Sequence, residues 1–129
     1  MSDERRPRVL VVEDEPALQK VLAMRLNIDG FDVAAASDGQ EAMELIRADP
    51  PDLVLTDLMM PVMDGAELTS AIKADPVLKG IPVMVLTALK EQRERDHLMA
   101  LGADGFAAKP YNSAELTAKI RHLMGRAKA

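Results

Sequence analysis

The sequence predicts an α/β fold, a doubly wound parallel sheet of five strands with helices on both faces. Five short β-rich runs alternate with five segments of helical spacing along nearly the whole chain. Three of those runs are almost uninterruptedly apolar, the pattern of strands buried on both faces. Parallel strands need a crossover, usually a helix, so strict alternation points to parallel pairing.

The first strand is expected from Arg8 to Glu13, around Val9, Leu10, Val11 and Val12. A helix follows from Pro16 to Asp29, with Leu18, Val21, Leu22, Leu26 and Ile28 mostly along one stripe, and stops at Gly30. The second strand runs from Phe31 to Ala36. The next helix opens at Ser37-Asp38, where Asp38 and Glu41 have the offset of a capping box. Its inner face would hold Ala42, Leu45 and Ile46, and Pro50 and Pro51 stop it. The third strand spans Pro51 to Asp57. A third helix starts at Asp64 with Glu67 three residues on, carries Leu68, Ala71 and Ile72, and breaks at Asp75-Pro76. The fourth strand covers Pro82 to Thr87, and a charged helix follows from about Lys90 to Leu101. The fifth strand, Gly105 to Ala108, leads to a helix beginning at Ser113. That helix buries Leu116, Ile120, Leu123 and Met124 and finishes at Gly125, with Arg121 and His122 near its negative end. A single domain is expected over residues 1–129 with its core in 8–124, the first seven and last four residues being dispensable to the fold.

Composition narrows the function classes. The 129 residues are 48% hydrophobic, enough for an ordinary core. Cysteine is absent, which excludes disulfides, thiolate metal sites and a cysteine nucleophile, and fits the cytoplasm. With no Trp, one Tyr and two Phe, stacking platforms for bases are nearly ruled out. A formal charge of -5 argues against gripping nucleic acid or anionic membranes. The sequence contains no signal-peptide pattern and no apolar run near the roughly 20 residues that span a bilayer. Met59, Met60 and Met63 are read as a loop over the core, not a soft-metal cluster, and His97 and His122 as solvated helix residues.

Ligands of open α/β sheets bind beyond the carboxyl ends of the strands. Glu13 and Asp14 end the first strand, Asp57 the third and Thr87 the fourth, and the fifth runs into Lys109. Taken singly, each has an ordinary explanation as a cap, turn or strand residue. Taken together, three acids at one edge would repel unless something cationic sits among them. Mg2+ is the most economical cation, since it binds through one or two carboxylates and accepts a phosphate oxygen. Asp57 is then a nucleophile towards phosphorus, with the metal and Lys109 neutralising the transferred oxygens and Thr87 donating a hydrogen bond.

These residues resemble the receiver domains of two-component response regulators, of which CheY is a single-domain example. The matching strings are VLVVEDE from Val9, PDLVLTDLMMPVMDG from Pro51, IPVMVLTA from Ile81 and GADGFAAKP from Gly102. The resemblance implies a CheY-like, flavodoxin-like strand order of 2-1-3-4-5. It implies Asp57 as phosphoacceptor, Glu13 and Asp14 as the acidic pair holding Mg2+, and Met59 as donor of a backbone carbonyl to the metal. Lys109 looks like the phosphate-pairing lysine, with a cis bond to Pro110. Thr87 and Phe106 look like the switch pair. Met59 and Leu89 occupy positions that modulate phosphoryl lifetime, and both are apolar here, which leads to an expectation of slow autodephosphorylation. A histidine kinase or phosphotransfer protein would be the donor, and a separate output protein would read the surface of the fourth helix, fifth strand and fifth helix. A monomer or weak dimer is expected, a signalling module and not an enzyme.

Three rival readings stand against this one. An FMN binder would need a neutral phosphate-cradling loop where Glu13, Asp14 and Glu15 stand. A Mg2+-dependent phosphohydrolase with an aspartyl-phosphate intermediate would need a general acid, and none is evident. A degenerate docking-only receiver would not keep every site position filled.

Overall fold

The computed structural model describes residues 6–88 and 92–128. Its elements alternate as β1 (Arg8–Val12), α1 (Pro16–Ile28), β2 (Asp32–Ala36), α2 (Gly39–Ala48), β3 (Leu53–Asp57), α3 (Gly65–Ala74), β4 (Val83–Thr87), α4 (Gln92–Ala100), β5 (Gly105–Ala108) and α5 (Ser113–Lys128). All strand pairs are parallel and the order is β2-β1-β3-β4-β5. Leu89 and the expected helix start at Lys90 lie outside the described residues. No helix among the described residues is long and apolar enough to cross a membrane.

The pleat divides the core in two, because successive side chains leave opposite faces of a strand. Leu10 and Val12 of β1, Val54 of β3 and Val83 and Val85 of β4 pack with Met43, Ile46, Leu68, Ile72 and Leu98, from α2, α3 and α4. Val9 and Val11, Leu53 and Leu55, and Met84 and Leu86 pack on the other face with Leu22, Leu26, Phe31, Leu116 and Ile120. β3 and β4 are buried along their whole length, as their apolar runs require, and carry the polar Thr56, Asp57 and Thr87 into burial at their ends.

Local chemistry sets the helix starts. Pro16 stands in the first turn of α1, where its missing N–H costs nothing. In α2 the Asp38 carboxylate accepts from the Glu41 N–H at 2.8 Å, while the Glu41 side chain reaches past the cap to the Ser37 N–H. In α3 the capping box between Asp64 and Glu67 closes in both directions. Asn112, just before Ser113, caps α5 by accepting from the Glu115 N–H at 3.0 Å.

Several expectations are corrected. On α1 only Leu22 and Leu26 are buried, whereas Leu18, Val21 and Ile28 are exposed. The helix lays a narrower stripe on the sheet than its sequence suggests. On α2 Met43 is buried, while Leu45 is 38% exposed and stands outside the core. Arg121 does not serve the end of its own helix: its guanidinium stacks on the Phe31 ring at 4.6 Å and donates to the carbonyl of Asp29, the C-cap of α1. Pro7, set outside the fold by the sequence, accepts a hydrogen bond from the Asp32 N–H at 2.8 Å.

α5 also continues through Gly125 to Lys128 instead of stopping there. A Cβ at Gly125 would meet nothing within 4 Å, and glycine is a poor helix residue. Gly125→Ala is therefore expected to raise stability by about 0.5 kcal/mol, measurable by urea denaturation.

Candidate functional site

The register of the sheet gathers the site. Val12 pairs with Thr56, Asp57 with Leu86 and Thr87 with Ala108, so β1, β3, β4 and β5 end at one edge. Beyond that edge, Glu13, Asp14 and Asp57 each offer a carboxylate oxygen within 4.8 Å of the others. Glu13 and Asp57 are buried and Asp14 is exposed. Lys109 arrives from the end of β5 and donates to Asp57 Oδ1 at 2.9 Å, with Glu13 Oε1 at 3.7 Å. The Lys109–Pro110 bond is cis, in line with the resemblance.

Each carboxylate is fixed locally. Asp57 Oδ1 also accepts from the Leu58 N–H at 3.0 Å, and Glu13 Oε2 from the Glu15 N–H at 3.1 Å. Burial, reinforced by the neighbouring Asp57 charge, pushes the Glu13 carboxyl above its ordinary value, against the lowering effects of the Glu15 N–H and Lys109. For Lys109, burial pulls the ammonium down, but the hydrogen bond and charge of Asp57, with Glu13 behind it, outweigh burial and the net displacement is upward.

Thr87 lies one position beyond the Asp57 partner on β4 and is buried. Phe106 packs partly buried against the α2–α4 side of the core. It lines, with Thr87, Arg95 and Lys119, a cavity of about 300 Å³. The Met59 side chain is 76% exposed. His97 and His122 are exposed on α4 and α5, as expected. The loop after β3 carries a γ-turn in which the Met63 N–H donates to the Pro61 carbonyl at 2.7 Å across Val62, held at φ 70°.

Two contributors were not assigned from sequence. Gly65, the first residue of α3, lies so close behind Asp57 that a Cβ there would stand 2.4 Å from the Asp57 carbonyl oxygen. Its place in the MDG string marked it without explaining it. Gln19 ties the ends of β1 and β2 together, and no local signal announces it.

A raised Glu13 makes stability pH-dependent. As pH rises from 4.5, the ordinary value of a glutamate carboxyl, towards the higher folded value, the unfolded chain loses this proton first, so stability falls across that window. Glu13→Gln removes the penalty. In metal-free solution this variant is expected to melt above the wild type at pH 7, with the difference closing below about pH 4.5. Thermal melts in chelator across that range check it.

The family model described as the response regulator receiver domain matches residues 9–121. The chain belongs to this family, the receiver domains of two-component systems, and has their CheY-like fold. It is 38% identical over 124 residues to the DNA-binding response regulator MtrA of Mycolicibacterium smegmatis, covering 96% of this chain and 53% of that protein. The chain spans about half the length of the curated relatives it matches. Among solved structures it is similar to the chemotaxis response regulator CheY4 of Vibrio cholerae, with a TM-score of 0.86 and 28% identity, over 92% of this chain and 98% of that one. It is likewise similar to the receiver domain of sensor histidine kinase PA1611 of Pseudomonas aeruginosa, which carries a magnesium ion in its active-site cleft. There the TM-score is 0.85 and the identity 31%, over 93% of this chain and 98% of that one.

Proposed function

We propose that Asp57 is the phosphoacceptor of a two-component phosphorelay, taking a phosphoryl group from a histidine kinase or histidine phosphotransfer protein with Mg2+ present. The added charge, about -1.5 to -2 near neutral pH for a phosphate monoester, changes which partner the α4, β5 and α5 surface holds. One observation carries this: three carboxylates and one lysine meet at a single strand edge, with Lys109 Nζ 2.9 Å from Asp57.

Asp57 Oδ1 is engaged by the Leu58 N–H and Lys109, so we assign the nucleophile to Oδ2. It forms the bond to phosphorus as the P–N bond of a phosphohistidine breaks. The electron pair of that bond stays on the imidazole nitrogen. Lys109 moves its charge from the carboxylate to the incoming phosphoryl oxygens, and the Thr87 hydroxyl donates to one of them. Phe106, lacking a hydroxyl, follows Thr87 by packing alone.

The donor set fits a hard cation, with carboxylates of Glu13, Asp14 and Asp57 brought together, and by the family resemblance the Met59 carbonyl would join them. When bound, Mg2+ supplies positive charge against the phosphoryl oxygens. The magnesium in the cleft of the PA1611 receiver supports that choice of ion. Met59 and Leu89, at positions that modulate phosphoryl lifetime in the family, are apolar and carry no group able to orient an attacking water, so phosphoryl loss is slow. The chain acts as a signalling module in the cytoplasm and not as an enzyme. Its output is carried by an element outside these residues, a reading that the DNA-binding relative supports.

Intact mass after treatment with a small phosphodonor, with Mg2+ and with the metal chelated, tests this. One added phosphoryl group, mapped to Asp57 and dependent on Mg2+, is expected. No added mass, or a group mapped elsewhere, would sink the proposal, and multiple turnover at enzyme-like rates would favour the phosphohydrolase.

A further inference from the structure

We infer that Gln19 is a positioning residue for the acidic pair. Its side-chain nitrogen donates to the Glu13 carbonyl at 3.0 Å and to the Ala36 carbonyl at 2.9 Å. Two carbonyl acceptors leave only one assignment of the amide, with NH2 towards both. The Ala36 carbonyl also accepts from the Glu13 N–H at 3.0 Å, and the Gln19 N–H donates to the Glu15 carbonyl at 2.9 Å. Gln19 thus clamps the segment Glu13 to Glu15 between the end of β2 and the first turn of α1.

The clamp answers a specific difficulty. Glu13, Asp14 and Glu15 are consecutive acids, and Glu13 lies beside the Asp57 carboxylate, so the segment is driven apart by its own charge. Glu13 is 4% exposed, and a buried carbonyl needs a donor. Without Gln19 the Glu13 carbonyl would turn to find water. Because the peptide unit is rigid, that turn carries the Asp14 α-carbon and its carboxylate with it.

The inference rests on the proposed metal site, and its test separates the two. Gln19→Met keeps the length and removes both donors. Gln19→Glu keeps the shape, replaces donors by acceptors and adds a fourth carboxylate. Mg2+ affinity by isothermal titration is expected to fall about 10-fold in Gln19→Met, the usual effect of losing a group that orients a metal ligand. The phosphorylation rate at saturating Mg2+ stays unchanged, which a general loss of stability would not produce. Gln19→Glu is expected to bind Mg2+ more weakly too, although its extra charge alone would bind it more tightly. In metal-free protein, amide exchange at Glu13 and Glu15 should quicken in Gln19→Met while β3 stays protected. Unchanged exchange with wild-type Mg2+ affinity in Gln19→Met, or tighter binding in Gln19→Glu, overturns the inference. A wild type that binds no Mg2+ defeats the proposed function instead, and the exchange measurement still decides the clamp.

Discussion

An Asp57→Asn chain is expected to take up no phosphoryl group, to stay folded, and to lose most of its stabilisation by Mg2+. The substitution keeps the shape and keeps an oxygen where Oδ1 accepts from the Leu58 N–H and from Lys109. What it removes is the negative charge and the second oxygen lone pairs, and with them the nucleophile. An amide beside Glu13 removes the charge that adds to burial in raising the Glu13 carboxyl, so the metal-free variant should melt no lower than the wild type. For any site, ligand at 100 times its dissociation constant stabilises a fold by about 2.7 kcal/mol. A 100-fold weaker site at the same Mg2+ concentration gives only about 0.4 kcal/mol. Melts with and without Mg2+, run beside intact mass, check all three parts. Phosphoryl incorporation in Asp57→Asn would show that the acceptor lies elsewhere.

Gly65→Ala should damage the fold and the site together. The added methyl would stand 2.4 Å from the Asp57 carbonyl oxygen and 3.0 Å from the Leu58 α-carbon, both backbone atoms that cannot swing aside. That carbonyl already accepts from the Thr56 hydroxyl at 2.9 Å, and the Gly65 N–H donates to the Leu58 carbonyl at 2.8 Å. Relief therefore requires α3 and the end of β3 to separate. A loss of about 3 kcal/mol, the upper end for overpacking, would lower the melting temperature by on the order of 10 °C. Phosphorylation should slow as Asp57 is displaced. Gly80→Ala is the control: a Cβ there meets nothing within 4 Å, and no measurable change is expected. Equal melting of the two variants would contradict the packing argument.

The residues that the sequence revealed share a property: their signals are local or follow from strand periodicity. Asp38 and Asp64 advertise helix starts through an acid three residues on; Asp64 closes its box as read, while at Asp38 only the cap forms and Glu41 turns to the Ser37 N–H. Glu13, Asp14, Asp57, Thr87 and Lys109 follow from where apolar runs end, since a parallel sheet carries every such end to one edge. What escaped depends on partners distant in sequence or on small energy differences. The Phe31 to Arg121 stacking spans ninety positions, and nothing near either residue announces it. Val62 at positive φ contradicts the preference of a β-branched residue and is held by the one hydrogen bond across it, from the Met63 N–H to the Pro61 carbonyl. Helix α5 passes through Gly125 because one glycine costs a helix only about 1 kcal/mol, too little to end it. The exposed side of α1 is not legible in its sequence because spacing fixes an arc of the helix but not how much of that arc the sheet can cover.

Helix α4 buries a single residue, Leu98, in nine. One leucine contributes about 2 kcal/mol, against roughly 1 to 2 kcal/mol of backbone entropy for every residue held in order. The helices that place three or four side chains in the core are bound far more firmly. Hydrogen exchange would rank the chain accordingly, with α4 opening at a small fraction of the global unfolding free energy while the central strands open only with the whole molecule. A modest change in charge nearby is therefore expected to loosen α4 well before it disturbs the sheet.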